Sequence, residues 1–556
     1  MKGSKYLLLL TISIVLSVFL AACSNSNEKN GATKKDNKGE YAELQEITVL
    51  ESGEITSMDS VLADDFVAFS MINNVNEGLY SLDQKQNPIP AIADGEPKVN
   101  DQGTVYTFKL KNVKWSNGDA ITAHDFVYSW QRALSDQSYE YGYYIMAGVI
   151  KNADKVYQGN VGLEELGVKA LSDQELEITL EKPVPYIKYL LAVPTFYPQN
   201  KKFVEEKGDK YASNAENLIF NGPFKMTKWD GVTATEWTLE KNDAYWDAKN
   251  VMLTKITFNV SKDPQAVATV FEAGEADVTP KLSTPAVISQ YLGDDRLVTW
   301  GEPTENWLKF NQKNKALSNK NIRLALSMAF DKEAIVDDIL QNGSLPANYA
   351  VPANFVKHPE SGEDFREKYG DFNKYNVKKA QEYWEKGLSE LGLKELKLTY
   401  VAPNTEVFKT VDTFILDQLQ KNLKGLSFDY KSVPGQVGGE LHDKQEYDII
   451  HFGWGPDYPD AMTYSDLWVT NGDFNKMDYS NPKYDQLIKD AQTTLANKPA
   501  ARFEALQKAE KILMDDAAIA GTFQRASNVL VNPKLEGFTY HVVGPEYSWK
   551  YAKLKK

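Results

Sequence analysis

Cysteine is almost missing from this chain. Cys23 is the only one in 556 residues, so no internal disulfide and no cysteine-based metal site can form. Histidine is scarce as well: His124, His358, His442, His451 and His541 are the whole set. None sits in His-Glu-x-x-His and no pair has helical ligand spacing, which leaves zinc hydrolysis without a motif. A Gly-x-Ser-x-Gly elbow, a P-loop and a dinucleotide fingerprint are also lacking. Adjacent acids such as Asp337-Asp338 and Asp515-Asp516 read as solvated helix faces. Glycosidase acids can lie far apart in sequence, so a secreted hydrolase stays open as an alternative. Positive charge is in deficit, with 62 Lys and Arg against 77 Asp and Glu and a net charge of −15. No basic stripe is available to neutralise phosphates, which argues against nucleic acid as a partner. After the first twenty or so residues no run is long and apolar enough to span a bilayer.

Aromatic residues are plentiful: 30 Tyr, 24 Phe and 11 Trp. Most must fill cores, but the supply also suits stacking on a ligand. The length exceeds what one core organises, so two or three structural units are expected. Met1–Lys5 is a short basic start, and Tyr6–Leu20 is apolar apart from Thr11, Ser13 and Ser17. The following Leu20-Ala21-Ala22-Cys23 resembles a bacterial lipobox, in which the cysteine is lipidated and becomes the first mature residue. Residues 1–22 are therefore expected to be a signal peptide, and Cys23 the anchor in the lipid bilayer. An uncleaved membrane helix is the alternative, for which the run is slightly short. The Asn-, Lys- and Gly-rich stretch 23–40 is expected to be a disordered tether.

Ordered patterning begins at Gln45–Leu50, a strand-like run. Part of Val61–Leu79 reads as helix. Thr104–Leu110 alternates as a strand, Trp115–Asp119 is a turn, and Thr122 with Asp125 opens a helix whose Phe126, Val127, Trp130 and Leu134 share a face. Tyr139–Tyr144 reads as a tyrosine-dense loop. Strands are expected at Glu175–Leu180, Thr235–Glu240 and Thr254–Val260, with a turn at Asn221–Phe224. A short strand, Asn306–Asn311, marks a first crossing into a second lobe. There one helix is expected over Asn319–Leu340, buried strands at Leu396–Val401 and Tyr447–Phe452, and helices at Pro482–Leu495 and Pro499–Met514. Val529–Val531 returns to the first lobe.

One stretch concentrates unusual chemistry: Gly453-Trp454-Gly455-Pro456-Asp457-Tyr458. It follows an apolar strand. Its glycines let backbone approach a ligand, and Pro456 stiffens the turn but removes a donor. Asp457 among Trp454, Tyr458 and Tyr464 would be partly desolvated and attractive to a cation. It would equally serve as a cap of the turn.

Several segments taken together resemble one family, the extracytoplasmic solute-binding subunits of ATP-driven dipeptide, oligopeptide and nickel importers. They are Glu77-Gly78-Leu79-Tyr80, Pro90–Ala93, Tyr106–Leu110, Trp115–Asp119, Thr122–Arg132, Asn221-Gly222-Pro223-Phe224 and Ile322–Asp331, with the stretch around Asp457. The run Asp125–Arg132 resembles the oligopeptide branch. The resemblance implies an α/β fold of two lobes with three subdomains and two hinge crossovers. Lobe I would comprise 41–80, 200–304 and 521–556, with 81–199 inserted in it, and lobe II would comprise 305–520. It further implies a non-enzymatic receptor without a cofactor, held on the extracytoplasmic face of a bacterial, Gram-positive-type membrane. The receptor would pass oligopeptides to the permease and ATPase of an ABC importer. A signalling peptide or an oligosaccharide are alternative ligands on the same scaffold. In the family Asp457 matches the acid that pairs with the peptide amine, and Gly453 and Gly455 match backbone positions at the peptide's start. Tyr141 matches an aromatic of the inserted subdomain, and Asp64-Asp65-Phe66 a ligand-contacting edge of lobe I. Trp454 and Tyr458 frame the site. His451, and in the same way His442, stands where a family member carries a cation for the carboxyl end. Strand alternation also allows His451 to fill core beside Ile449, and Tyr141 and Tyr144 to be packing or loop anchors.

Overall fold

The computed structural model describes residues 40–556. The expected signal peptide, Cys23 and the tether up to residue 39 lie outside the described residues. Among those described, no helix is long and apolar enough to cross a membrane.

The chain enters on strand β1 (Glu46–Glu51) and turns into helix α1 (Phe66–Val75), where the Asp65 carboxylate accepts from the Ala68 N–H at 3.0 Å. A long excursion follows. Strand β2 (Val105–Lys109), helices α2 (Ala123–Ala133) and α3 (Glu140–Met146), and strands β3 (Val168–Ser172) and β4 (Glu175–Thr179) share one core. Trp130 anchors that core, edge-on to Phe196 at 5.1 Å and donating to its carbonyl at 3.0 Å. Strands β5 (Phe224–Lys228), β6 (Glu236–Lys241) and β7 (Lys255–Val260) then join β1 in a sheet of order β1-β7-β6-β5, with β1 and β7 parallel.

Strand β8 (Leu297–Phe310) carries the chain across into a second body. Helix α4 (Lys320–Met328), strand β9 (Leu396–Pro403), helix α5 (Glu406–Asn422), strands β10 (Leu426–Val433) and β11 (Ile449–Trp454), and helices α6 (Pro482–Gln492) and α7 (Pro499–Asp515) follow. Strand β12 (Ile519–Leu530) leads back. The sheet runs Leu345–Pro346, β12, β8, β11, β9, β10, with β11, β9 and β10 parallel and β8 antiparallel to both β12 and β11. Each face is covered by its own core. The result is a two-lobed α/β fold.

Three elements depart from the sequence expectation. The tyrosine-dense loop is helix α3. The single helix over Asn319–Leu340 breaks after Met328, because Asp331 accepts from the Glu333 and Ala334 N–H groups and caps a new start. The short strand at Asn306 is the end of the fourteen-residue β8. Gly301-Glu302-Pro303-Thr304 lies within β8 as a bulge, with the register against β12 slipping between Gly301 and Glu305. Proline lacks an N–H and is tolerated there.

The segments that carried the family resemblance are mostly ties. Glu77 accepts from Trp246 Nε1 at 2.9 Å and from Tyr245, and pairs with Lys550 at 3.7 Å, while Asn221 grips its backbone on both sides. Arg132 forks onto the buried Asp59 at 2.8 and 2.6 Å. Gly222 lies against the backbone of Val75 and Asn76, so a β-carbon there would meet main-chain atoms at 2.6 Å. Gly222→Ala is expected to destabilise the protein by about 1–3 kcal/mol through this overpacking, read as a lowered midpoint in urea with the slope unchanged.

Candidate functional site

Strand β11 ends at Trp454, opposite Glu305 of β8, and the chain leaves the sheet through Gly455 and Pro456. This places Asp457 beyond the strand ends, where open α/β sheets receive ligands. Its carboxylate is half-buried and meets the other lobe through one hydrogen bond: Tyr144, on α3, donates to Asp457 Oδ2 at 2.7 Å. Among the described residues no lysine, arginine or histidine forms an ion pair with Asp457. Burial pushes its carboxyl above the ordinary carboxylate range, and the Tyr144 hydrogen bond opposes that push. The Tyr144 hydroxyl is itself raised, by burial and then by the charge of Asp457.

Aromatic rings continue from that contact. Tyr144 lies 6.0 Å from Tyr141, and Tyr141 lies 5.1 Å from Phe69 of α1. On the other side Tyr458 stacks on Tyr186 at 3.7 Å with the rings parallel, packing against the cores of both lobes. Trp454 donates to Thr463 at 3.3 Å and meets Phe474 edge-on. Asp457, Tyr144, Trp454 and Tyr458 line a cavity of about 390 Å³, together with Lys182 and Asp466. Burial, followed by the charge of Asp457, lifts the Asp466 carboxyl to about 7. Arg502, held by Asp460 at 2.6 and 2.8 Å, separates this cavity from a second one of about 640 Å³.

The remaining expected positions divide. Gly453 and Gly455 are exposed beside the cavity, and a β-carbon at Gly453 would meet Asn306 Oδ1 at 2.7 Å. Asp64 is exposed, and Phe66 presents 63 % of its surface. His451 does not join them. It is 2 % exposed, with Nδ1 2.6 Å from Asp412 and Nε2 3.0 Å from Thr522, on the α5 side of the sheet. Core space beside Phe408 and Phe523 claims the ring, so it is not available to a ligand. His442 is also buried, stacked on Phe452 at 5.2 Å and 2.7 Å from the Lys309 ammonium. Burial and then that neighbouring charge hold it down to about 4, so it is not a cation at neutral pH. Tyr144 is the site residue that sequence reading undervalued. Its signal was the three-residue spacing from Tyr141, which puts both on one face once the segment is helical. No group of His, Cys, Asp or Glu suited to a metal occurs among the described residues.

The model of the bacterial extracellular solute-binding proteins, family 5, matches residues 87–476. A dipeptide-binding protein of Lactococcus lactis is 32 % identical over 100 % of both chains. The oligopeptide-binding protein OppA of Bacillus subtilis is 32 % identical over 97 % of this chain and 98 % of its own. The structure of Listeria monocytogenes OppA bound to peptide aligns with a TM-score of 0.74 at 40 % identity, covering 93 % of this chain and all of that one. The chain belongs to the family 5 extracellular solute-binding proteins.

Tyr144→Phe removes the side-chain hydrogen bond that favours the ionised acid, and the Asp457 titration should move to higher pH. Because its folded pKa already lies above the unfolded value, Asp457 contributes stability at low pH that is lost as pH rises through the folded pKa. The variant should extend that loss upward. Carboxyl carbon NMR and denaturant midpoints across pH 3–8 would read both; an unmoved Asp457 resonance would refute the assignment.

Proposed function

We propose that this chain is a receptor that captures oligopeptides between its lobes and delivers them to the permease and ATPase of an ABC importer. It carries out no chemistry and needs no cofactor. It works at the extracytoplasmic face of the cell membrane of a Gram-positive bacterium, anchored through lipid on Cys23. The peptide ligands named for its relatives support the reading, as does the family to which it belongs. The allotment of 41–80, 200–304 and 521–556 to lobe I, 81–199 to its insertion and 305–520 to lobe II belongs to the same proposal. The separate sheets support it.

The observation that carries the reading is Asp457: a half-buried carboxylate without a cationic partner among the described residues, at the strand ends between the lobes. A peptide ammonium supplies the missing charge. Gly453 and Gly455 offer backbone to the first peptide units, as in strand addition. Tyr141, Trp454 and Tyr458 form the wall, and Asp64 and Phe66 face the ligand from lobe I. Main-chain recognition of this kind accepts many sequences.

Calorimetry with free and N-acetylated forms of one peptide tests the role of Asp457. Acetylation and Asp457→Asn should each weaken binding by about 2–5 kcal/mol, the cost of leaving one member of a buried charge pair alone. Equal affinity for both forms would remove Asp457 from this role. Native mass spectrometry of co-purified ligand tests the substrate class: a bound oligosaccharide, or turnover of added peptide, would replace the reading.

A further inference from the structure

His451 and His442 are committed to the core, so the opposite end of the ligand needs another partner. Strand β12 supplies a candidate. Eleven of its twelve residues are buried, and the exception is Arg525, whose side chain is 53 % exposed. Alternation places Arg525 on the same sheet face as Phe523, which packs beside Phe408 and His451. Gln524 points the other way, toward Tyr349 and Ala353.

The guanidinium is little engaged. Its ion pair within the protein is Nε to Glu302 at 3.6 Å. Glu302 does not need it: Lys281 contacts the same carboxylate at 2.5 Å, and the hydroxyls of Ser527 and Tyr540 add to it.

Arg525 is connected to Asp457 in two ways. The first is through the sheet. Trp454 lies opposite Glu305, and Glu305 opposite Gln524, with β8 antiparallel to both partners. Strands β11 and β12 therefore run in the same direction, and Gly455, just past the end of β11, stands at the level of Arg525, within β12. Two strand spacings, about 10 Å, separate them. The second is along the wall of lobe I. From Asp457 the rings of Tyr144, Tyr141 and Phe69 lead to Phe66, one helical turn earlier on α1. The Lys281 ammonium lies 5.9 Å from the Phe66 ring and reaches Glu302 beside Arg525. An acid stands at one end of this wall and, at the other, a cation whose one ion pair, with Glu302, is long at 3.6 Å. An extended chain of about three residues covers 10 Å.

We propose that Arg525 is the carboxylate partner of the bound peptide and favours short peptides, of about three to five residues, that end in a free carboxyl group. The inference rests on the peptide-receptor reading. The guanidinium fork suits a carboxylate bidentately, and its place on the crossover strand couples carboxyl-end recognition to lobe closure.

Calorimetry with tri-, tetra- and pentaalanine, each as free acid and as C-terminal amide, tests it on wild type, Arg525→Met and Arg525→Lys. Wild type should prefer at least one free acid over its amide by about tenfold or more, equivalent to one charge-assisted contact. Arg525→Met should bind acid and amide alike, at the wild-type affinity for the amide, which also shows that the variant is folded. Arg525→Lys should keep part of the preference. Wild type binding acid and amide equally, or Arg525→Met keeping the preference, would overturn the assignment while peptide binding stands. Failure of wild type to bind any of these peptides would overturn both.

Discussion

The antiparallel pairing of β8 with β12 is the constraint on which the architecture rests. These two strands are long enough to belong to both lobes: their inner halves sit in the six-stranded sheet, and the outer end of β12 meets Val278 and Leu282 of lobe I. Gln524 reinforces the crossing by donating to the Glu302 and Ala353 carbonyls at 3.0 and 3.1 Å. Glu305 lies fully buried at the crossing, and burial pushes its carboxyl well above the ordinary range. A neutral acid there avoids the desolvation cost of a charge at the joint. The ribbon fixes where the chain passes from one lobe to the other.

The site follows from that placement. Because β11 is the neighbour of β8, its end projects at the line between lobes, and Asp457 is delivered to lobe I. The acid is kept short of full burial and faces a tyrosine hydroxyl instead of a cation. A hydroxyl can hold the carboxylate without cancelling its charge, which is the basis of the proposed pairing with a peptide ammonium. The neighbouring ionic groups are arranged differently: Arg502 with Asp460, Arg132 with Asp59 and Lys550 with Glu77 are closed pairs. Those pairs hold segments in place. Asp457 has no cationic partner among the described residues, and Arg525 has only the long pair with Glu302 at 3.6 Å.

Much of this was legible in the sequence. Trp130, Phe126 and Leu134 declared their helix through spacing, and Thr122 with Asp125 declared its start. The carboxylate of Asp125 accepts from the Thr122 N–H at 2.7 Å, and burial lifts it to about 6. What was misread shares one cause. Asn306–Asn311 reads as a short strand but is the end of β8, because the partner strand β12 continues past the bulge at Gly301–Thr304. Tyr139–Tyr144 has weak helix formers but is helical, because Gly142 packs on Ala133 and the face carrying Ile145 and Met146 is buried. Neighbours distant in sequence overrode local preference.

Sequence by itself determined most of the elements, the family and the stretch that carries Asp457. These are encoded locally, in periodicity, caps and short motifs that keep their meaning without partners. Only the tertiary structure decided which polar residues are free. His451 and Arg525 look alike as lone basic residues on predicted or crossing strands. One is held between Asp412 and Thr522, while the other has more than half its side chain in solvent. That difference depends on what folds against each strand face, and packing between distant segments is the quantity a linear pattern does not carry.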